Sequence, residues 1–121
     1  MRHISPSLLA ADFGNLQREC EMINNSSAEY LHIDVMDGVF VPNISFGFPV
    51  MKAVSKHCNK PLDVHLMITH PEKYVERFCD AGAWSVGFHI EAVDDPMPAI
   101  ELIRNKGVRT CLTINQKTDI H

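Results

Sequence analysis

The sequence predicts an α/β fold of the (β/α)8 barrel type, of which it carries about the first four to five βα units. Three observations lead there. Short apolar runs alternate with helix-like stretches along the whole chain, which implies a parallel sheet with right-handed crossovers. The unit repeats every roughly 25–30 residues, one eighth of a barrel of about 250. No G-x-G-x-x-G follows the first apolar run, where Ala10-Ala11-Asp12-Phe13-Gly14 has a single glycine, so a Rossmann-like sheet is disfavoured.

Taken in order, strands are expected near 3–9, 30–36, 61–67, 84–90 and 109–114, with helices near 13–24, 48–57, 71–81 and 96–106 between them. Each helix carries an apolar stripe at 3.6-residue spacing, such as Phe13, Leu16, Cys20 and Ile23, or Met97, Ile100 and Ile103. Asp12 is placed to cap the first helix. Thr69-x-x-Glu72, with Pro71 in the first turn, reads as a capping box for the third, and Asp95 precedes Pro96 at the last. Gly82 and Gly107 stand where C-terminal caps belong. The whole of 1–121 reads as a single domain, a partial TIM-type barrel.

Composition narrows the function classes. With 45% hydrophobic and 21% charged residues the chain is ordinary for a globular domain. A net charge of −4, spread along the chain, offers no basic stripe for nucleic-acid phosphates. No run approaches ~20 apolar residues, so neither a membrane span nor a secretory leader is expected, and the default location is the cytoplasm. Cys20, Cys58, Cys79 and Cys111 show no C-x-x-C spacing and are expected as reduced core residues.

The strands themselves carry the chemistry. In the second, Leu31, Ile33 and Val35 alternate with His32, Asp34 and Met36, and side chains two apart share a face. The third repeats this, with Leu62, Val64 and Leu66 against Asp63, His65 and Met67. In the fourth, Val86, Phe88 and Ile90 oppose Ser85, Gly87, His89 and Glu91, and in the first, Ile4 and Leu8 oppose Ser5 and Ser7. If the apolar faces pack on helices, the polar ones converge on one interior, toward the C-terminal strand ends where barrel enzymes keep their active sites. Alternation of this kind also marks half-exposed antiparallel strands, but helices between every pair of strands argue for parallel pairing. His32, Asp34 and His65 then form a set of two imidazoles and one carboxylate suited to one divalent metal ion, Zn²⁺, Fe²⁺, Mn²⁺ or Co²⁺. Met36 and Met67 read either as gap-filling core or as an apolar wall beside that set.

The same residues carry a resemblance. Ser5-Pro6-Ser7-Leu8-Leu9-Ala10-Ala11-Asp12-Phe13, His32-Ile33-Asp34-Val35-Met36-Asp37-Gly38-Val39-Phe40-Val41-Pro42-Asn43, Asp63-Val64-His65-Leu66-Met67-Ile68 and His89-Ile90-Glu91-Ala92 look like successive motifs of the ribulose-phosphate 3-epimerases, in order and with that family's spacing from Ser5 to about Asn115. The resemblance implies interconversion of D-ribulose 5-phosphate and D-xylulose 5-phosphate by inversion at C3. It implies His32, Asp34 and His65 as metal ligands, Asp34 as a catalytic carboxylate, and Ser7, His65, Met36 and Met67 as substrate contacts. Glu91 and His89 are expected behind the ligands, Glu91 alternatively on the substrate side. His70 before Pro71 reads as a helix start or as a functional residue, Tyr74 as an amphipathic-helix residue, and Asp37-Gly38 as a turn.

The family's second catalytic aspartate belongs to its seventh strand and its phosphate loops to the last two βα units, neither of which is matched here. The family's usual Asn-Pro after the fifth strand is replaced by Asn115-Gln116. A half-barrel with unpaired edges is expected to form a homo-oligomer. The alternatives to an active epimerase of a sugar phosphate are a binding module or fragment without turnover, and an epimerase of a related hexulose phosphate.

Overall fold

A computed structural model describes residues 3–115, 117 and 118. Four parallel strands, β1 (Leu31–Met36), β2 (Leu62–Met67), β3 (Ser85–His89) and β4 (Arg109–Thr113), lie side by side in chain order. Helices α1 (Leu16–Asn24), α2 (Phe48–His57), α3 (Val75–Asp80) and α4 (Met97–Asn105) separate them, α1 standing before β1. Right-handed crossovers that always step in the same direction put every helix on one face of the sheet, and the order never reverses as a doubly wound sheet requires. Four strands with this succession are the architecture of a partial (β/α) barrel. Among the described residues no helix is long and apolar enough to cross a membrane.

The alternation read from the sequence sets the burial. Leu31, Ile33, Val35, Leu62, Val64 and Leu66 are buried toward the helices, and their polar neighbours are half-buried on the other face. The core joins these to Cys20, Ile23, Met51, Val54, Phe78, Phe88 and Ile103. Phe88 and Ile103 are fully enclosed, and truncating either to alanine would cost about 2–5 kcal/mol. At the N-terminal strand ends Tyr30 packs on Trp84 at 4.9 Å, and the Arg109 guanidinium lies 4.4 Å over the Trp84 ring. That end is built for packing; His32 and Asp63 follow directly on the polar face, with Asp34, His65 and His89 beyond them toward the C-terminal strand ends.

Several expectations are corrected. The segment 3–9 does not form a strand. It runs beside β1 with a single parallel bridge between Ser7 and His32, the His32 N–H donating to the Pro6 carbonyl at 2.8 Å. Pro6 has no N–H to extend a ladder, and Ser7 already caps a 3-10 turn, Leu8–Ala10, through the Leu9 N–H. Ile4 is exposed in consequence. β3 ends at His89, and Ile90–Ala92 form a 3-10 turn, which takes Ile90 and Glu91 out of the strand.

The first and third helices begin with separate 3-10 turns, Phe13–Asn15 and Pro71–Lys73. Asp12 does cap its turn, accepting from the Gly14 N–H, and Asp95 accepts from the Met97 N–H. Thr69 does not cap. Its N–H and hydroxyl both donate to Asp37, at 2.8 and 3.0 Å, so the capping position passes to His70 in a left-handed conformation (φ 49°), and Glu72 Oε2 is left without a partner among the described residues. Phe13 and Met97, at the starts of their stripes, are exposed, as is Cys111 on β4, whereas Cys20 and Cys79 are buried; all four cysteines are free thiols. Gly82 and Gly107 follow their helices with φ of 112° and 73°, as C-terminal caps. The expected departure at Asn115-Gln116 falls partly outside the described residues, as do Met1, Arg2 and 119–121.

Candidate metal centre

Parallel pairing of β1 with β2 sets His32 beside Asp63, Asp34 beside His65 and Met36 beside Met67. Because residues two apart share a face, this register alone gathers two imidazoles, two carboxylates and two thioethers on the side of the sheet away from the helices. His65 in turn pairs with Gly87 of β3, two residues before His89.

Asp34 is the centre. Its Oδ1 lies 2.9 Å from His32 Nε2 and 3.3 Å from His65 Nδ1, and its Oδ2 accepts the Ser7 hydroxyl at 2.9 Å. One ligand atom from each of His32, Asp34 and His65 lies within 4.8 Å of the other two, with the side chains half-buried or better. A single cation can replace the contacts these atoms now make with one another. The donor set fits Zn²⁺, Fe²⁺, Mn²⁺ or Co²⁺, with places left for oxygen ligands.

Each imidazole is also held from behind. His32 Nδ1 contacts Asp63 Oδ2 at 3.1 Å, and His65 Nε2 contacts His89 Nε2 at 2.9 Å. The hydrogen bond to Asp63 and the charge of Asp34 hold the His32 imidazole above its ordinary value of 6.5, against burial. His65 is pushed down, first by burial and then by the adjacent His89, with Asp34 opposing. Two imidazoles on one carboxylate are therefore shifted in opposite directions, His32 upward between two carboxylates and His65 downward toward the neutral ring that a metal needs.

Asp37 belongs to the frame. It closes the turn after β1 by accepting the Val39 and Phe40 N–H groups at 2.9 Å, and it ties that loop to the one after β2 through Thr69. Desolvation opposes its ionisation, but the Thr69, Val39 and Phe40 N–H groups and the Thr69 hydroxyl prevail and hold the carboxyl at about 2. Ser45 closes the same loop onto the strand end, donating to the Asp34 carbonyl at 2.8 Å and accepting the Met36 N–H at 2.9 Å.

The sequence-predicted residues are thus placed as follows. His32, Asp34, His65 and Ser7 come together, Met36 and Met67 stand side by side at the strand ends, and His89 backs His65. Glu91 is set apart by the turn after β3. Its Oε1 accepts from the Asn115 N–H and the Thr118 hydroxyl, and its Oε2 stands 3.9 Å from His89 Nδ1. Sequence reasoning missed Asp63 as the partner of His32, although its place two before His65 on the polar face was the available signal. Ser45 carried no signal, since nothing in a loop sequence says which strand end it will meet.

The Ribulose-phosphate 3 epimerase family matches residues 3–121. The ribulose-phosphate 3-epimerase of Eremothecium gossypii is 41% identical across 97% of this chain and 54% of its own length, and that of Bacillus subtilis 41% identical across 99% and 55%. The chain therefore spans about half the length of the curated relatives it matches. A crystal structure of orotidine 5'-monophosphate decarboxylase from Methanocaldococcus jannaschii superposes with a TM-score of 0.62 over 93% of this chain and 54% of that one, at 14% identity, a likeness of fold alone. The strand register that assembles His32, Asp34 and His65 and the sequence match over residues 3–121 lead to one conclusion, that the chain belongs to the ribulose-phosphate 3-epimerase family.

Proposed function

We propose that these residues form part of a metal-dependent epimerase that inverts C3 of D-ribulose 5-phosphate to give D-xylulose 5-phosphate. The observation that carries the reading is the convergence of His32 Nε2, Asp34 Oδ1 and His65 Nδ1 on one point of the polar sheet face. His32, Asp34 and His65 would hold a divalent cation, and that cation would supply the positive charge that makes a proton beside a ketone removable, by stabilising the enediolate.

The chain's own groups do the rest. Asp34 takes or returns the C3 proton, and the Ser7 hydroxyl on its Oδ2 fixes the plane of the carboxylate. His65 also contacts the sugar. Met36 and Met67 line the approach with thioether surface and keep water from the intermediate. Asp37 and Ser45 fix the loop beside them. Inversion needs a second proton donor on the opposite face of the planar carbon, which the family resemblance puts in a strand that these 121 residues do not match.

The test is proton NMR of D-ribulose 5-phosphate in deuterated buffer with the chain and Zn²⁺, Mn²⁺, Fe²⁺ or Co²⁺ supplied in turn. Metal-dependent deuterium at C3 is expected. Xylulose 5-phosphate alongside it would report a complete two-sided site, and exchange with retained configuration would report Asp34 working from one face. A folded, metal-loaded chain that exchanges nothing contradicts the proposal.

A further inference from the structure

We propose that His89 is a positioning residue for His65: it accepts at Nε2 the proton that His65 carries on Nε2, keeps its own proton on Nδ1 toward Glu91, and so leaves His65 Nδ1 as a bare lone pair for the cation. The inference rests on the metal reading above and deepens it.

Two imidazole nitrogens 2.9 Å apart share one proton, so one donates and the other accepts. The direction follows from the far side of His65. There Nδ1 stands 3.3 Å from Asp34 Oδ1, the oxygen that His32 Nε2 also approaches. A cation bound at that point requires Nδ1 to be unprotonated, which puts the proton of neutral His65 on Nε2 and makes His89 Nε2 the acceptor. His89 must then be protonated on Nδ1. That nitrogen is buried with no hydrogen-bond partner among the described residues, and the nearest charge facing it is Glu91 Oε2 at 3.9 Å. Glu91 is itself anchored, through its other oxygen, to the Asn115 N–H and the Thr118 hydroxyl beyond β4.

The His89 ring is not free to turn away. It is 7% exposed, lies edge to edge with His65 at 22° between ring planes and 4.9 Å between centroids, and packs against Phe40 at 5.1 Å. His65, His89 and Glu91 thus form a line from the cation position to the chain after β4. Without a cation the reverse proton arrangement also closes the contacts, with His65 Nδ1–H on Asp34 and His89 Nε2–H on His65. Loading the site therefore selects one tautomer of the histidine pair, and the two sites of protonation are read together.

The experiment is two-bond 1H–15N correlation of the imidazoles in the 15N-labelled, Zn²⁺-loaded chain, with zinc affinity measured by chelator competition for wild type, His89→Phe and His89→Gln. The expected spectrum has His65 protonated on Nε2 and His89 on Nδ1. His89→Phe keeps a ring and removes the acceptor, and is expected to weaken zinc about 10–100-fold; His89→Gln restores an acceptor near Nε2 and is expected within about threefold of wild type. A residue that only fills space would not be rescued by glutamine.

Zinc uptake with His89 protonated on Nε2, or with affinity unchanged in His89→Phe, overturns this inference and leaves the metal site standing. No zinc uptake by the folded wild type overturns both. The spectrum of the wild type decides the matter even where His89→Phe does not fold.

Discussion

Replacing Asp37 with asparagine tests how the loops at the site are held. Asp37 accepts four hydrogen bonds, from Val39 and Phe40 on Oδ1 and from the N–H and hydroxyl of Thr69 on Oδ2. An asparagine side chain keeps the first pair but presents an NH₂ group where Thr69 needs an acceptor, so the Thr69 N–H is stranded. The distance from an ordinary carboxyl at 3.8 to about 2 corresponds to about 2.4 kcal/mol favouring the folded state. Because Asp37 is only half-buried, solvent screening reduces the expected effect to about 1–2 kcal/mol.

The sign follows from a carboxyl whose folded value is depressed. Its stabilisation is fully present above about pH 4 and is lost as pH falls from there through about 2. Urea unfolding followed by circular dichroism, wild type against Asp37→Asn, should show the full difference at pH 7 and 5 and a shrinking one between pH 4 and 2. Equal midpoints at pH 7, or a difference that does not change with pH, would refute the reasoning.

Asp63→Ala should weaken zinc about tenfold, since His32 Nδ1 loses the carboxylate that orients it, with little change in unfolding midpoint; chelator competition measures this. Gly82→Ala should destabilise by about 2–3 kcal/mol, because φ is 112° and the new Cβ would meet Ser55 Oγ at 2.2 Å. Adding Ser55→Gly should recover only part of that loss, the backbone strain remaining, as read from thermal unfolding. A polypeptide of these 121 residues, exposing Leu112 and Ile114 at β4, should self-associate at micromolar concentration, and a single monomeric boundary in sedimentation velocity would contradict this.

The parallel sheet and the two ligand-bearing strands were legible because alternation over six residues has one physical meaning once helices flank both ends. Leu31–Met36 and Leu62–Met67 could bury only one face, and the face left over held the histidines. The segment 3–9 misled because its apolar pattern resembles a strand while Pro6 and Ser7 spend the backbone groups that a ladder needs. Thr69 misled for a related reason: a capping box is local, and Asp37, 32 residues away, outcompeted it. Asp37 read as a turn, which it is, but its second oxygen makes a long-range tie that no local pattern announces. Glu91 was assigned to a strand because its spacing from His89 is two, whereas the chain turns at Ile90.

The central claim, that His32, Asp34 and His65 hold one divalent cation, is tested most directly by titrating the metal-free chain with Co²⁺ and following its visible absorption, in wild type and in Asp34→Asn and His65→Ala. The account predicts saturation at one equivalent in wild type, and loss of that signal in both variants while they remain folded. A folded wild type that takes up no cobalt, or variants that bind it as wild type does, would contradict it.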